Sequence, residues 1–350
     1  MQRALTTSLP ARIGNERNLD ERFAWLRDNA SSVRIWEQFG QYEWADETRS
    51  WLHDRAGDEL PLASTYRLSG ERPPSEEEGT LPGWDGNGPV RFGSPNGDHT
   101  DLGAIGALMN VLDDNRSWTE LNRLGDWLVD HWQHREVGAY DSRAPKGARY
   151  VESIIQVHNA FEALIATAKR RNPLDLSIIE WSQTRNEILA WLSKEGMFGI
   201  RPNVGWRRSN DDDTSDASLL PLLQRDSPRL PEDTEDDPRL RFATTLHQTL
   251  AQLAEGAFSH RHLPHVDDGL PPGQGADLAA SFQLVSALCR WHRWEEAHAR
   301  METLVPALGS ARIGATHIDQ FTGDLRGNLA AAPTYIAVID AARDLSVGPA

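Results

Sequence analysis

Residues 29–55, NASSVRIWEQFGQYEWADETRSWLHDR, carry apolar side chains at the i, i+3, i+4, i+7 spacing twice over, interrupted around FGQYEW (39–44). That spacing lines one stripe of an α-helix, so the stretch reads as two helices joined by a tight turn. The pattern recurs along the chain at 98–113, 117–134, 149–170, 175–195, 215–224, 237–256, 275–291, 293–307 and 329–344. With 29–40 and 43–55 this makes eleven expected helices. Alternating β-branched runs bounded by turn residues are almost absent, so the fold class is all-α. Short turns such as FGQYEW and CRWHRW (289–294) alternate with long loops at 56–97 and 257–274. Such a rhythm describes antiparallel helix hairpins side by side, their long loops gathered at one end, and a site belongs at that end. The acidic runs 75–78 and 232–237 read as solvated loops. No fixed-period repeat is present, and one domain over 1–350 is the expectation.

Composition narrows the function. The 350 residues hold 36 Lys and Arg against 52 Asp and Glu, a formal charge of −16. Such a surface repels a phosphate backbone and an anionic bilayer, which argues against nucleic-acid and membrane partners. Mean hydropathy is −0.55, no apolar run approaches the roughly 18 residues of a spanning helix, and no signal-peptide pattern opens the chain. A cytoplasmic protein is expected. The single cysteine, Cys289, lies in the apolar run ASFQLVSALCRW, which excludes a disulfide framework and points to core. Thirteen Trp against five Tyr is the unusual count; indole area serves either core packing or stacking against a flat ligand.

Nucleotide-binding, P-loop and serine-hydrolase motifs are absent, as is His-Glu-x-x-His. His260, His262, His265, Asp267 and Asp268 form the one metal-like cluster, but their spacing is irregular and they sit in a polar loop. No metal and no cofactor are expected.

The stretch TTSLPARIGNERNLDERFAWLRDNASSVRIWEQFGQYEWADETRSWL (6–52) resembles glycoside hydrolase family fifteen, the glucoamylases, glucodextranases and bacterial trehalases. YRLSGERPPSEEEGTLPGWDGNGPVRFGS (66–94), SDASLLPL (215–222), VDDGLPPGQGADLAASFQLVSAL (266–288) and IDQFTGDLRGNLAAAPTYIAVIDAA (318–342) follow that family's order. The resemblance implies an (α/α)6 barrel. Eleven helices further imply that the first outer helix and the preceding β-sandwich are missing, with residues 1–24 as a leading loop and 346–350 as a tail. A missing outer helix would expose apolar surface that a second copy of the chain could cover, making a homo-oligomer a possible assembly.

The resemblance also implies a site. Arg27 and Asp28 match the family's sugar-binding Arg-Asp pair, suited to vicinal hydroxyls, although they could instead pair with each other at a loop corner. Trp84 matches a stacking aromatic and Arg91 a rim arginine. Inverting glycosidases need a carboxylic acid on the leaving oxygen and a carboxylate on water, roughly 6.5–9.5 Å apart. In GAYDSRAPKG (138–147), Asp141 stands where the family has its acid Glu, and Tyr140 where it has Trp. In ATHIDQFTG (315–323), Thr316 and His317 replace the base carboxyls, and Gln274 replaces a third. The Asp of a further family helix start is Gly103, with Asp98, His99 and Asp101 close in sequence. The substrate is therefore expected to be a small carbohydrate or glycoside. Three activities stay open: a glycosidase with a rebuilt pair, Asp141 as acid and His317, Asp319 or Asp101 as base; a lyase, isomerase or cyclase in which Asp141 donates the proton; or a non-catalytic sugar-binding protein.

Overall fold

The computed structural model describes residues 20–80, 89–95, 99–112, 115–139, 147–200, 203–223, 238–264, 266 and 275–348. Helix α1, Leu26–Gln38, is followed by α2, Tyr42–Ala56. Between them Gly40 takes the left-handed conformation, φ 68°, that ends a helix without a Cβ clash. Then come α3, Leu102–Met109; α4, Trp118–His131; α5, Val151–Arg171; and α6, Ser177–Glu195. A 3-10 helix, Ala217–Leu222, precedes α7, Pro238–Leu253; α8, Leu278–Arg290; α9, Trp294–Ala307; and α10, Ala332–Ser346.

All eleven expected segments are helical, and the differences have local causes. The segment expected at 215–224 is a single 3-10 stretch because Pro221 lies inside it and withholds an N–H. Helix α3 starts later than expected because the Asp101 carboxylate accepts from Ala104 N at 2.9 Å and fixes the N-cap there. Helix α8 starts later because Ala276–Asp277 are spent in a sheet.

The elements form a ring. Helices α1, α3 and α5, the 3-10 helix, α8 and α10 each pack on the next, and α10 returns to α1. The helices α2, α4, α6, α7 and α9 lie outside them. Inner α3, LGAIGALM, is apolar on every side, as full burial requires; outer α4 buries only the stripe Leu121, Leu124, Gly125, Leu128. The core has two lobes that meet in the 3-10 helix, where Leu219 packs into one and Leu220 into the other. At the α1–α10 seam Arg34 grips Asp340 with two hydrogen bonds of 2.8 and 2.6 Å. Three of the many Trp, Trp51, Trp181 and Trp206, are fully buried packing residues. Cys289 is core, its thiol pushed up to about 11 by burial and by Asp344.

Helices α3 and α5 approach most closely at Gly106, where an added Cβ would lie 2.7 Å from the backbone C and O of Gln156. Backbone atoms cannot give way. Gly106→Ala should therefore destabilise the protein by about 1–3 kcal/mol through overpacking, despite the roughly 1 kcal/mol gain in helix propensity. A lowered urea midpoint with unchanged helical circular dichroism checks this.

Strands are two to five residues long and lie in the segments before and between helices. Five of them form an antiparallel sheet in the order 325–329, 315–318, 276–277, 258–259, 254–255. Its register places His317 opposite Asp277 on one side and Arg326 on the other. No described helix is long and apolar enough to cross a membrane.

Candidate functional site

The inner helices bring their N-terminal ends to one end of the ring. Arg27, in the first turn of α1, reaches the N-cap Asp101 of α3 and Glu152 in the first turn of α5. Its Nη2 lies 2.7 Å from Asp101 Oδ1, its Nε 3.2 Å from Oδ2, and Nη1 donates to Glu152 Oε1. It pairs with these two carboxylates rather than with Asp28. A Cβ at Gly103 would fall 2.3 Å from Arg27 Nη2 and 2.9 Å from Ser153 Oγ, so the guanidinium fills the space that a side chain at 103 would need.

Glu136 joins this group. It is buried, its Oε2 accepts from Leu102 N at 2.5 Å, and its Oε1 is sealed from solvent with no hydrogen-bond partner among the described residues. Burial, then the neighbouring Asp101 charge, holds its pKa well above the usual carboxylate range. Burial also raises Glu152, against the pull of Arg27. Outside Glu136 lies a pocket of about 320 Å³ lined by His99, Thr100, Trp127, His131 and His134. The His131 ring stacks on Trp127 at 4.1 Å and 12°.

A second group faces the first from the α8–α10 side. Asp277 caps α8 by accepting from Ala280 N at 2.7 Å, and Arg261 Nε donates to its Oδ2. Burial opposes its ionisation, but Arg261 and then His317 keep it below the usual carboxylate range. His317 Nε2 lies 3.6 Å from Asp277 Oδ2, and its Nδ1 lies 3.0 Å from Thr316 Oγ1. Gly327, φ 75°, lets its strand pass this point: a Cβ there would meet Thr316 Oγ1 at 2.0 Å. Across the seam, Asn328 donates to Glu21 Oε2 at 2.9 Å. Glu21 is raised by burial and by the charges of Asp28 and Asp277, against Asn328 and Arg261.

Of the residues expected from sequence, Arg27, Thr316 and His317 thus stand at the inner-helix end, and Asp28 in the first turn of α1 faces Glu21. Arg91 is buried in a hairpin, 3.5 Å from Glu76 and 3.6 Å from Glu78. Trp84, Tyr140, Asp141 and Gln274 lie outside the described residues, as do Asp98, His265, Asp267 and Asp268. Asp319, a candidate base, accepts from Phe321 N and Thr322 N and pairs with Arg326. Among the described residues no group of three His, Cys, Asp or Glu is placed to hold a metal. Sequence reasoning missed Glu21, Glu136, Glu152, Arg261 and Asp277. Only Asp277 carried a signal, an N-cap aspartate directly before the apolar run LAASF.

Six inner helical elements with carboxylates converging at their N-terminal end define a helical-barrel glycosidase fold. Solved structures share it: a glycosidase with TM-score 0.66 and 17% identity, matched over 99% of this chain and 94% of that one, and the glucoamylase of Saccharomycopsis fibuligera, with TM-score 0.65 and 12% identity over 98% and 89%. The chain belongs to the glycosyl hydrolases family 15, whose model matches residues 3–267. Trehalases of Mycolicibacterium smegmatis and Mycobacterium tuberculosis are 28% and 29% identical over 97% of this chain, and that of Thermoplasma acidophilum is 26% identical over 99%. The chain spans 51%, 50% and 59% of those three proteins' lengths.

Proposed function

We propose that this protein binds a small glycoside at the inner-helix end of its barrel as a single domain, and that it hydrolyses ordinary glucosides weakly or not at all. The observation that carries this reading is the state of the strand 315–318. Where the family resemblance calls for base carboxyls there are Thr316 and His317; the imidazole Nδ1 lies 3.0 Å from Thr316 Oγ1, and Nε2, 3.6 Å from Asp277 Oδ2, is sealed from solvent. A general base must reach the water that it deprotonates. Nearby carboxylates are similarly engaged: Asp101 and Glu152 by Arg27, and Asp277 by Arg261. The trehalase relatives make trehalose the first glycoside to test, and a neighbour solved in complex with glucose supports a hexose ligand. Asp141 is the proton donor in this reading, by the family resemblance.

Losing the well-placed base carboxyl of the strand 315–318 removes about 10²–10⁴ in rate. With trehalose or maltose at neutral pH, kcat/KM should lie below about 10² M⁻¹s⁻¹, against roughly 10⁴–10⁸ for ordinary enzymes. Calorimetry should still detect binding of trehalose. Robust glucose release from either sugar would overturn the reading.

A further inference from the structure

Among the described carboxyls at the ring's mouth, one differs in what its oxygens do. Glu21 lies in the segment leading into α1, and Asn328 donates to its Oε2 at 2.9 Å. Oε1 makes no hydrogen bond among the described residues, and the residue is partly exposed, so water reaches it. Five other described carboxyls fail one of these conditions. Asp101 is held by Arg27 and Ala104 N, Glu152 by Arg27 and Gln156, Asp277 by Arg261 and Ala280 N, and Asp319 by two backbone N–H groups and Arg326. Glu136 has an unpaired Oε1, but that atom is sealed from solvent.

We infer that Glu21 is the general base for the weak hydrolysis that this site retains, a partial replacement for the carboxyls absent at Thr316 and His317. The inference rests on the acid–base reading proposed above. In the step, the oxygen of a water bonds to the anomeric carbon while the bond from that carbon to the leaving group breaks with its electron pair. The water's proton passes to Glu21 Oε1. Asn328 holds Oε2, so it orients the carboxylate without competing for the proton. A neutral amide partner rather than a bound guanidinium leaves Glu21 free to cycle its proton. The charged groups facing it are Asp28 from α1, Asp277 at the start of α8 and Arg261 from the segment before it, with His317 behind Asp277. Burial and the two aspartates place its ionisation above the ordinary glutamate range, so base activity should rise with pH through that higher window.

Both anomers of glucosyl fluoride serve as probes, because fluoride departs without an acid and the reaction isolates the base. The native protein should hydrolyse one anomer. Glu21→Gln, which keeps the shape and can still accept from Asn328, should lower kcat about 10²–10⁴-fold, erase the rise with pH and leave KM and the melting temperature near native. Sodium azide should restore turnover in Glu21→Gln with glycosyl azide as product, since azide attacks without giving up a proton. The inference is overturned if Glu21→Gln keeps the native rate and pH profile, if azide restores nothing, or if the native protein turns over neither fluoride. Robust hydrolysis of trehalose that Glu21→Gln abolishes would defeat the weak-hydrolase reading and leave Glu21 as the base.

Discussion

Replacing Arg27 with methionine should cost about 3 kcal/mol of folding stability. The guanidinium is the cation between Asp101 and Glu152, whose side chains are only 3% and 5% exposed. Removing one member of a buried ionic group leaves uncompensated charge, which typically costs about 3–5 kcal/mol. The 19% exposure of the Arg27 side chain admits some solvent screening and places the effect at the lower end. Methionine keeps the stem's apolar volume, so the loss reports charge rather than a cavity. The penalty should shrink as acid protonates the stranded Glu152, whose pKa burial already raises. Urea unfolding at pH 7 and at pH 4 checks both statements; equal losses at the two pH values would mean that packing of the Arg27 stem dominates.

Asp277→Asn should cost about 2–4 kcal/mol at neutral pH. The amide can still cap α8, so the helix start survives, but the charge that pairs with Arg261 and faces His317 is lost. Arg261 is 21% exposed and recovers part of its solvation, which keeps the figure moderate. The pH dependence has a definite sign. Asp277 ionises below the ordinary aspartate value in the folded protein, so its stabilisation is present above about pH 4 and disappears as pH falls through the depressed folded value. The gap between native and Asp277→Asn proteins should therefore close in acid. Glu21, Glu136 and Glu152 act oppositely: their pKa values are raised, and what they contribute below the ordinary glutamate value is lost as pH rises through the folded values. Stability should thus peak on the acid side of neutrality, and the acid limb should flatten in Asp277→Asn.

The hairpin rhythm was legible because amphipathic spacing survives in each helix independently of its partners. Helix 29–40 was expected and Leu26–Gln38 is found; 175–195 was expected and Ser177–Glu195 is found. Boundaries were less legible wherever a distant strand competed for the same residues. Ala276 and Asp277 read as helix from their own sequence, yet His317 and Ile318 claim them for a sheet across forty residues of chain. The site divides in the same way. The family resemblance drew attention to Arg27, Asp28, Thr316 and His317, but Glu152 reaches Arg27 only because α3 packs between α1 and α5, and Glu136 joins through Leu102 N at the start of α3.

The sequence by itself determined the helical class, the ring of hairpins and the absence of carboxyls at Thr316, His317 and Gly103, because side-chain period and residue identity are local properties. Only the tertiary structure decided which charges neutralise which. Arg27 could have served a sugar or paired with Asp28, and its choice of Asp101 and Glu152 depends on three helix N-termini meeting and on the space that Gly103 leaves open. Glu21 carries no motif. Its character follows from Asn328, three hundred residues away, and from burial, which makes an isolated charge expensive and a proton easy to hold.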